Sequence, residues 1–590
     1  MRHRAIAPLW RAGLAAALVC GIGLLPWLAR TDPALTVLKA RSADRDPTPE
    51  VLADIRAQLG LADGPLALLG RWAHGLLRGD AGRSWISGAE VGPAVLQALG
   101  ASLLLMAVAL AVAVVTAGLI CAPTLNRQGR RGRSAGGGSA VVAALPEFLI
   151  ASVLATVVGV QLGWLPALGW YGPQWTVLPA LALGLPAGAV LGRLLDDLLP
   201  SAFAEPWALA AAARGLPNRR IARQALRRCL PGLLPNVGLF VVGITGGSVA
   251  VEQIFDIPGL GRTTLQAALA QDLPVLQAGT LLLLLLAAAS TGAARIAARL
   301  LIGPALHDGT LPSLHRPTPP ARTVQPFLYA GVLLGVVALG LPRDPLALDT
   351  SQRLQSPSWT HPFGTDALGR DVLARVAHGA LDTLLLALAI GAAALLAGVL
   401  LGLVPRLSGP LVDTVNAVPP VLGALLVTAV AGSGAGTPAL AVGVVAWAPL
   451  ATHTSALLRQ ERAALHITAT RGLGADRRYL LRHELLPAVL PSVTRHALLR
   501  LPGIALALAS LAFLGLGAQP PAPEWGLLLA ENQPYAERAP WAVLAPAAAL
   551  ALLGALAVSA GGGVRWPRRR TAVVAVVEQS TGARELVGAE

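Results

Sequence analysis

The segment LPGLLPNV at residues 230–237 returns almost unchanged as LPAVLPSV at residues 486–493, which begins 256 positions later (486 − 230). Each copy follows a run rich in arginine, although the chain as a whole is strongly apolar. A repeat at this distance within 590 residues indicates two related halves.

The composition is that of a membrane protein. Hydrophobic residues make up 54% of the chain, charged residues 13%, and the mean hydropathy is +0.63. A hydrocarbon core roughly 30 Å thick needs about 20 apolar residues per helix. The apolar runs are long and continuous rather than alternating, so helices are predicted instead of a closed barrel. We therefore predict an all-α polytopic membrane protein.

About twelve apolar runs are present, six in each half. In the first half they lie near 6–29, 94–121, 140–162, 176–195, 237–252 and 275–302. In the second half they lie near 326–342, 381–404, 411–431, 438–458, 499–517 and 541–562. An even number of crossings separates the two repeated segments, so both face the same side. This pattern predicts parallel six-helix repeats, unlike the inverted repeats of many secondary transporters.

Charge placement predicts which side that is. The loops near 122–139, 193–236 and 459–500 are rich in arginine, whereas 30–93 is balanced by acids and 252–274 and 518–540 are net acidic. The positive-inside rule then puts both repeated segments in the cytoplasm. Topology accounts for most of the +15 net charge, and no basic patch with interleaved aromatic residues indicates a nucleic-acid partner.

The runs and loops divide the chain into four predicted parts. Residues 1–302 form a first unit, with an external segment at about 30–93 and a cytoplasmic loop at about 196–236. Residues 303–325 form a proline-rich cytoplasmic linker. Residues 326–563 form a second unit, with an external segment at about 343–380 and a cytoplasmic loop at about 459–498, and residues 564–590 form a tail. The first apolar run is long for a signal peptide, so a retained first helix and cytoplasmic termini are predicted.

The repeated cytoplasmic segments have the form of docking elements. They read AEPWALAAAARGLPNRRIARQALRRCLPGLLPNVG at 204–238 and ALHITATRGLGADRRYLLRHELLPAVLPSV at 464–493. Each combines a short helix of small residues, a glycine break, a basic amphipathic stretch and a Leu-Pro, and Pro231 and Pro487 are expected to end the helix. Arginine-rich loops alone would be explained by topology. Repetition of the whole pattern favours docking.

Long motifs carry a resemblance to a known family. In the first half these motifs are DPTPEVLADIRAQLGL, LLRGDAGRSWISGAEV, QLGWLPALGW and VEQIFDIPGLGR. In the second half they are HPFGTDALGRDVLARVAHGA, VDTVNAVPP, LAFLGLGAQPPAPEWGLLLAE and RAPWAVLAP. The chain resembles the inner-membrane permeases of ABC importers, in the dipeptide, oligopeptide and nickel branch, where two different permease subunits normally pair. It looks like both subunits fused, with the fold of a type I importer permease.

The resemblance implies a transport mechanism. A coupling helix in each repeated loop would sit on a cytoplasmic ATPase, and rocking of the two halves would give alternating access. The implied partners are two ATPase subunits or one fused pair, which hold ATP and magnesium, and an extracytoplasmic binding protein that delivers peptides or similar solutes. Carried over by position, the ATPase contacts are Ala210, Ala211, Gly215, Arg219, Arg220, Ala469, Gly474, Arg477 and Arg478. The residues expected on the binding-protein side are Gly364, Thr365, Asp366, Gly369, Arg370 and Asp371.

The chain departs from the family at one acidic position. Leu209 and Thr468 stand where family members often carry the glutamate of the loop motif. Glu205 lies four residues upstream of Leu209, about one helical turn. This difference weakens any prediction of a specific carboxylate–arginine contact with the ATPase, but leaves the shape of the loop as the basis for docking.

The sequence predicts no catalytic or metal site of its own. A phosphate-binding Walker loop needs a Gly-Lys pair, and the only lysine is Lys39. The candidate charges within apolar runs, Glu147, Asp382 and Asp413, are placed near helix ends, so the cargo contacts stay unknown. An ion-coupled secondary transporter and a membrane scaffold or exporter component are the alternatives. The expected location is the bacterial cytoplasmic membrane.

Overall fold

A computed structural model describes residues 2–29, 32–41, 46–128, 142–143, 145–302, 324–417, 420–432, 434 and 436–561. Within these ranges the regular structure is helical, with two isolated β-bridges. The predicted linker lies almost wholly outside the described residues, and the predicted tail and Arg130, Arg131 and Arg133 of the loop near 122–139 lie wholly outside them.

The described part of the first half contains twelve α-helices. They are α1 Arg2–Gly23, α2 Leu25–Leu28, α3 Pro33–Arg41, α4 Pro49–Gln58, α5 Pro65–Leu77, α6 Val91–Asn126, α7 Glu147–Leu154, α8 Val177–Phe203, α9 Pro206–Ala213, α10 Asn218–Ile254, α11 Leu260–Leu269 and α12 Leu273–Ile302. A π-helical turn, Ala155–Gln161, continues α7.

The second half repeats the order of the long helices. They are α13 Gln325–Gly340, α14 Val372–Gly402, α15 Pro405–Ala417, α16 Pro420–Ala431, α17 Thr437–Arg462, α18 Leu465–Gly472, α19 Arg477–Phe513, α20 Trp525–Asn532 and α21 Pro540–Gly561. Within α19, residues Leu480–Leu485 form a π-helical turn.

The described part of every predicted apolar run is mostly helical, which confirms the fold class. By length and hydropathy, seven helices in the described part of the chain can cross a membrane, or eight if the bent pair Ser408–Asn416 and Val421–Ala431 forms one span. Three shorter apolar helices, Ala12–Gly23, Glu147–Gln161 and Gln325–Gly340, occupy further predicted runs. The remaining run, 237–252, lies within the 37-residue α10.

The prediction that Pro231 and Pro487 end a helix is wrong. Helix α10 continues from Asn218 to Ile254, and α19 continues from Arg477 to Phe513. A proline removes one backbone hydrogen bond, and a locally widened turn can absorb that loss. In α19 the π-helical turn ends at Leu485, two residues before Pro487. Each basic stretch is therefore continuous with the apolar helix that follows it.

Glycines permit close packing of the second and fourth long helices in each half. In the first half they belong to α8, where a Cβ on Gly188 would lie 2.5 Å from the carbonyl oxygen of Ala113 on α6. In the second half they belong to α14, where a Cβ on Gly398 would lie 2.6 Å from the Cβ of Leu450 on α17. Small residues at such contacts let helix backbones approach in an apolar medium.

The two halves interlock through equivalent helices. Helix α7 packs against α21 of the second half, and α16 packs against α12 of the first. The side-chain amide of Gln161 donates to the backbone oxygens of Ala536 at 2.9 Å and Glu537 at 3.1 Å. The rings of Phe148 and Phe513 lie 5.8 Å apart, between centroids. These contacts join the halves into one body with a shared apolar core.

Candidate functional site

The two predicted coupling segments form the same local structure. Helices α9 and α18 have eight residues each and follow α8 and α17 directly. Their N-cap residues, Glu205 and Ala464, have nearly the same extended backbone, with φ −65° and ψ 146° in the first and φ −71° and ψ 144° in the second. Matching these N-caps relates the segments by 259 residues (464 − 205).

Both coupling helices end in the same glycine cap. Gly215 and Gly474 have φ of +74° and +95°, a region that residues with a Cβ rarely adopt. The amide of Leu216 donates to the carbonyl of Ala211 at 3.1 Å, and the amide of Ala475 donates to that of Thr470 at 3.3 Å. These bonds define the Schellman motif. A Cβ on either glycine would meet no atom within 4 Å, so the glycines are required by the backbone conformation alone.

The coupling helices present apolar side chains to the exterior. Leu209 is 61% exposed, and Leu465 and Leu473 are 87% and 89% exposed. Exposed apolar residues next to arginines are typical of a surface that another protein covers. Most residues predicted to contact the ATPase are also exposed: Ala210, Gly215, Arg219, Arg220, Ala469, Gly474, Arg477 and Arg478.

Ala211 differs from the other predicted contacts because it is buried. It packs with Ala208 and Ile221 in the apolar cluster beneath α9. Its side chain therefore supports the coupling helix from inside, since helix periodicity turns it away from the face that carries Leu209.

Glu205 ties the first coupling helix to its own half. Its carboxylate accepts from the indole N–H of Trp207 at 2.6 Å and from Arg228 on α10 at 3.0 and 3.2 Å. The matching position in the second half is Ala464, which cannot make such a pair. The one acid near the missing family glutamate thus has an internal partner.

A compact turn precedes the second long helix of each half, and we call these turns the first pre-span turn (residues 80–90) and the second pre-span turn (residues 363–371). Arg83 pairs with Glu90 in the first turn and Thr365 pairs with Asp371 in the second, each as an isolated β-bridge. Gly364 and Gly369 have φ of +69° and +78°, as tight turns require.

The second pre-span turn contains a buried ion network. Asp366 accepts from Arg370 at 2.7 Å and from Arg375 on α14 at 3.0 Å. Glu531 on α20 accepts from the same two arginines at 3.2 and 2.8 Å. The side chains of Asp366 and Arg375 are only 2% and 1% exposed. Buried charges of this kind persist only when they are paired.

This burial limits which predicted binding-protein residues can touch a partner. Thr365, Asp366, Arg370 and Asp371 are all at most 8% exposed. Asp371 caps α14 by accepting from the amides of Leu373 and Ala374 and pairs with Arg343 at 2.6 Å. The charged groups of Asp366, Arg370 and Asp371 are paired with other residues of the protein. These residues therefore hold the turn in place, and their side chains contribute little to its exposed surface.

The first pre-span turn is held by hydrogen bonds instead of an ion network. Asp272, just after α11, accepts from the Ser84 hydroxyl and from the amide of Trp85 at 3.1 Å. Its position corresponds to that of Glu531 in the second half. Both residues lie at the C-terminal side of the helix that connects the fifth and sixth long helices, next to the pre-span turn.

Helices α11 and α20, which we call the loop helices, each have a carboxylate at the N-terminus. Glu252 accepts from the Ser102 hydroxyl at 2.6 Å and the Arg262 amide at 2.9 Å. Glu524 accepts from the amide of Leu527 at 2.9 Å and lies 3.5 Å from the hydroxyl of Thr383. Ser102 and Thr383 lie at the same distance from the starts of α6 and α14. Carboxylates are favourable at helix N-termini because the backbone amides point at them.

Glu524 lies in the segment that connects α19 and α21, and its burial changes the pKa of its carboxyl. Loss of hydration raises the pKa of its carboxyl from the ordinary 4.5 to about 7, and the nearby charge of Asp382 acts in the same direction. The backbone amides of Leu527 and Gly526 oppose this shift. The group therefore changes charge near neutral pH.

The charged residues considered from the sequence have varied surroundings. Glu147 begins α7, as expected for a helix end. Asp382 instead lies ten residues inside α14 (382 − 372), since that helix starts before its apolar run. Asp413 lies on α15, but its side chain is outside the described part. His453 on α17 stacks on His496 of α19, with 4.5 Å between ring centroids. No group of three or more metal-ligating side chains occurs among the described residues.

Sequence analysis missed Arg375, Glu531, Glu252 and Asp272. Arg375 and Glu252 lie in quoted motifs, and each is a charged residue within an otherwise apolar stretch of helix. That signal could have selected them as candidates. Their partners lie far away in the chain, so no sequence pattern could pair them.

Two bundles of long helices, each with an exposed coupling helix after its fourth long helix, define a membrane permease. The family described as binding-protein-dependent transport system inner membrane component matches residues 114–302 and 389–562. The chain belongs to this family and contains it twice, as a fused double permease of an ABC importer. This assignment decides against the ion-coupled and scaffold alternatives.

Individual relatives match one portion of the chain at a time. A putative peptide permease of Brucella suis is 34% identical over 212 residues, covering 35% of this chain and 69% of its own length. The di/tripeptide transport system permease protein DppC of Pseudomonas aeruginosa is 34% identical over 251 residues, covering 38% and 83%. The metal-staphylopine import system permease protein CntB of Staphylococcus aureus is 28% identical over 267 residues, covering 45% and 85%.

Proposed function

We propose that this chain supplies both halves of the membrane pathway of an importer for peptides or similar small solutes, driven by separate ATPase subunits that dock on α9 and α18. A binding protein delivers the solute on the opposite side of the membrane. Either two ATPase subunits or one fused pair occupies the two coupling helices, and this chain itself holds neither ATP nor magnesium. Both termini then lie in the cytoplasm.

The single observation that carries the proposal is the matched pair of coupling helices. Each has the same N-cap backbone, the same glycine cap and an exposed apolar tip, although their sequences differ. Because the two helices have the same surface geometry, each could bind one of two equivalent ATPase subunits. A rigid helix on a Schellman cap can transmit a push to the long helices on either side, because neither end is free to unwind.

The absence of a family glutamate shapes how this docking would work. With Leu209 and Thr468 at the acidic positions, contact rests on apolar burial around Leu209, Leu465 and Leu473, with flanking arginines adding charge attraction. Burial of three exposed leucines contributes roughly 1.5–3 kcal/mol each at most. Such an interface is less sensitive to salt than one built on ion pairs.

Peptides are the proposed cargo because two of the relatives described above are named as peptide permeases. The metal-staphylopine relative makes a metal chelate the second class to test. Uptake of labelled dipeptides, longer peptides and a metal chelate into vesicles that contain the full complex would separate these classes. The ATPase rate with each loaded binding protein is the second readout.

Docking is tested by changing Gly215 and Gly474 to valine in one chain. A left-handed conformation costs a residue with a Cβ about 1–3 kcal/mol, so the caps should unwind while the open space around them avoids any clash. We expect the protein to stay in the membrane, while uptake falls and ATP hydrolysis no longer responds to loaded binding protein.

The matched control is Gly79→Val, which changes a glycine cap of the same kind at the end of α5, at φ +79° in a predicted external segment and again with open space. It should retain coupled uptake. Unaltered transport in the Gly215→Val, Gly474→Val chain would refute docking at these helices. Solute movement by the chain without any ATPase would refute the proposed function itself.

A further inference from the structure

A basic cavity lies beside the second coupling helix, and of its three arginines only Arg477 is among the residues predicted to contact the ATPase. It encloses about 540 Å³, within the range of roughly 300–1,000 Å³ that is usual for small-ligand pockets. Three arginines from three elements line it: Arg462 ends α17, Arg471 lies on α18 and Arg477 begins α19.

The charges of the three arginines are not paired within the described residues. None of them forms an ion pair within the part of the chain that the structure describes, and no carboxylate lines the cavity. All three side chains are exposed. Three like charges facing one space repel one another, and an anion in that space would relieve the repulsion. Guanidinium groups bind phosphate through paired hydrogen bonds.

The rest of the wall is apolar. Leu403 and Val404 come from the segment that follows α14, and Leu481 comes from the π-helical turn of α19. The cavity therefore joins a cationic face to an apolar face. A ligand that matches both has a phosphate head and a hydrocarbon tail.

Position in the fold points to the same ligand. The cavity lies where α14 and α17 end, so it is level with one surface of the bilayer. Basic pockets between helices at this level are suited to lipid headgroups. An acyl chain could run from the cavity along the apolar helix ends without entering water.

In the first half the corresponding positions carry no arginine, and two of them are filled by packed or hydrogen-bonded side chains. Positions 259 residues earlier carry Phe203, Ala212 and Asn218 in place of the three arginines. Phe203 is only 8% exposed and packs in the apolar cluster under α9. The Asn218 side-chain amide donates to the carbonyls of Leu125 and Asn126 at 3.4 and 3.2 Å. The cationic cavity is therefore a property of one coupling region and not of the shared fold.

We propose that this cavity binds the phosphate of an anionic phospholipid from the adjacent leaflet, held by Arg462, Arg471 and Arg477 with its acyl chain against Leu403, Val404 and Leu481. The inference goes beyond the proposed function, because it needs only that α14 and α17 cross the bilayer. A lipid bound there would connect α17, α18 and α19 and so stiffen the second coupling helix. The first coupling helix has Glu205 and Arg228 for that purpose.

The test uses the purified full chain without any ATPase, so that failure of docking cannot affect it. The chain is delipidated in detergent and titrated with phosphatidylglycerol, phosphatidylethanolamine or inorganic phosphate, and bound lipid is counted by native mass spectrometry. We expect one phosphatidylglycerol site that phosphatidylethanolamine fills at least about tenfold more weakly, equivalent to about 1.4 kcal/mol. Millimolar phosphate should leave most of the lipid bound.

Matched variants distinguish lipid binding in the cavity from a general effect of positive charge. Arg462→Gln, Arg471→Gln, Arg477→Gln in one chain should lose the site, and the corresponding triple lysine variant should retain it in part. The control, Arg223→Gln, Arg227→Gln, Arg482→Gln, removes the same charge from exposed positions outside the cavity and should bind normally.

Several results would overturn the lipid assignment. These are equal loss of lipid in the cavity and control variants, equal binding of the two phospholipids, and occupation by inorganic phosphate with no lipid site. Release of the lipid when the ATPase subunit is added would also overturn it, since the cavity would then belong to a protein interface.

Discussion

The two halves of this permease place their long helices, pre-span turns, coupling helices and loop helices in the same order but stabilise them with different chemistry. In the first half Asp272 holds the pre-span turn through a hydroxyl and a backbone amide. In the second half Asp366 and Glu531 hold it through two buried arginines. The geometry of the turn is shared, while the interactions that secure it are not.

Packing of the second and fourth long helices shows the same division. Both halves bring these helices into close contact, but the glycines lie on α8 in the first half and on α14 in the second. Which partner lacks the side chain is immaterial to the distance between the backbones. What both halves preserve is the contact itself.

The coupling regions differ most. An apolar cluster lies beneath each coupling helix, but α9 also has the Glu205–Arg228 ion pair, whereas α18 has an open cavity with three arginines beside it. The exposed faces of the two helices nevertheless share their caps and their apolar tips. The comparison teaches that the outward surfaces have been kept alike and the supports behind them have diverged.

The largest effect should come from breaking the buried ion network. Asp366→Asn leaves Arg370 and Arg375 with Glu531 as their only carboxylate, and loss of one partner from a buried pair costs about 3–5 kcal/mol. In the first half, Asp272→Asn changes the carboxylate that holds the pre-span turn, weakens its hydrogen bonds and should cost about 1–2 kcal/mol. Thermal unfolding midpoints of the two variants in detergent measure the difference. Equal midpoints would show that the two turns are held alike.

A second effect should appear in the pH dependence of stability. The pKa of Glu524 is raised to about 7, so protonation of its carboxyl stabilises the folded state. This stabilisation is fully present below about pH 4.5 and is lost as the pH rises through about 7. The difference corresponds to on the order of 3 kcal/mol. We expect the unfolding midpoint to fall across this interval, and Glu524→Gln to remove most of the slope.

Glu537→Gln is the control for that experiment, because it replaces an exposed carboxyl in the same segment. It should keep the slope of the unmodified protein. A slope that survives Glu524→Gln would assign the titration to another group.

The smallest effect should come from the helix contacts. A Cβ on Gly188 would lie 2.5 Å from a backbone oxygen, and overpacking of this kind costs about 1–3 kcal/mol. Gly188→Ala and Gly398→Ala should therefore lower the unfolding midpoint by similar amounts. Gly118→Ala, with no atom within 4 Å, should leave it unchanged or raise it slightly. A fall as large in Gly118→Ala would argue against close packing as the cause.

The positions of the helices were predictable because they depend on local and solvent properties. Each apolar run had to become helix, and each repeated segment had to carry a helix ended by glycine. The ends were less predictable, as α14 and α19 show. Hydropathy detects the part of a helix inside the bilayer, and both helices continue as helix beyond that part.

By itself, the sequence determined that this is a helical membrane protein with two repeated halves and a glycine-ended helix in each repeated segment. Those features follow from composition, periodicity and the need to satisfy backbone groups in lipid. The permease function and the coupling role came from the resemblance of its motifs to a known family. Only the tertiary structure decided that Arg375 meets Glu531, that Glu252 meets Ser102, and that Ala211 faces inward. The paired residues lie 156 and 150 positions apart, and no local pattern encodes which distant charge a folded chain will place beside another.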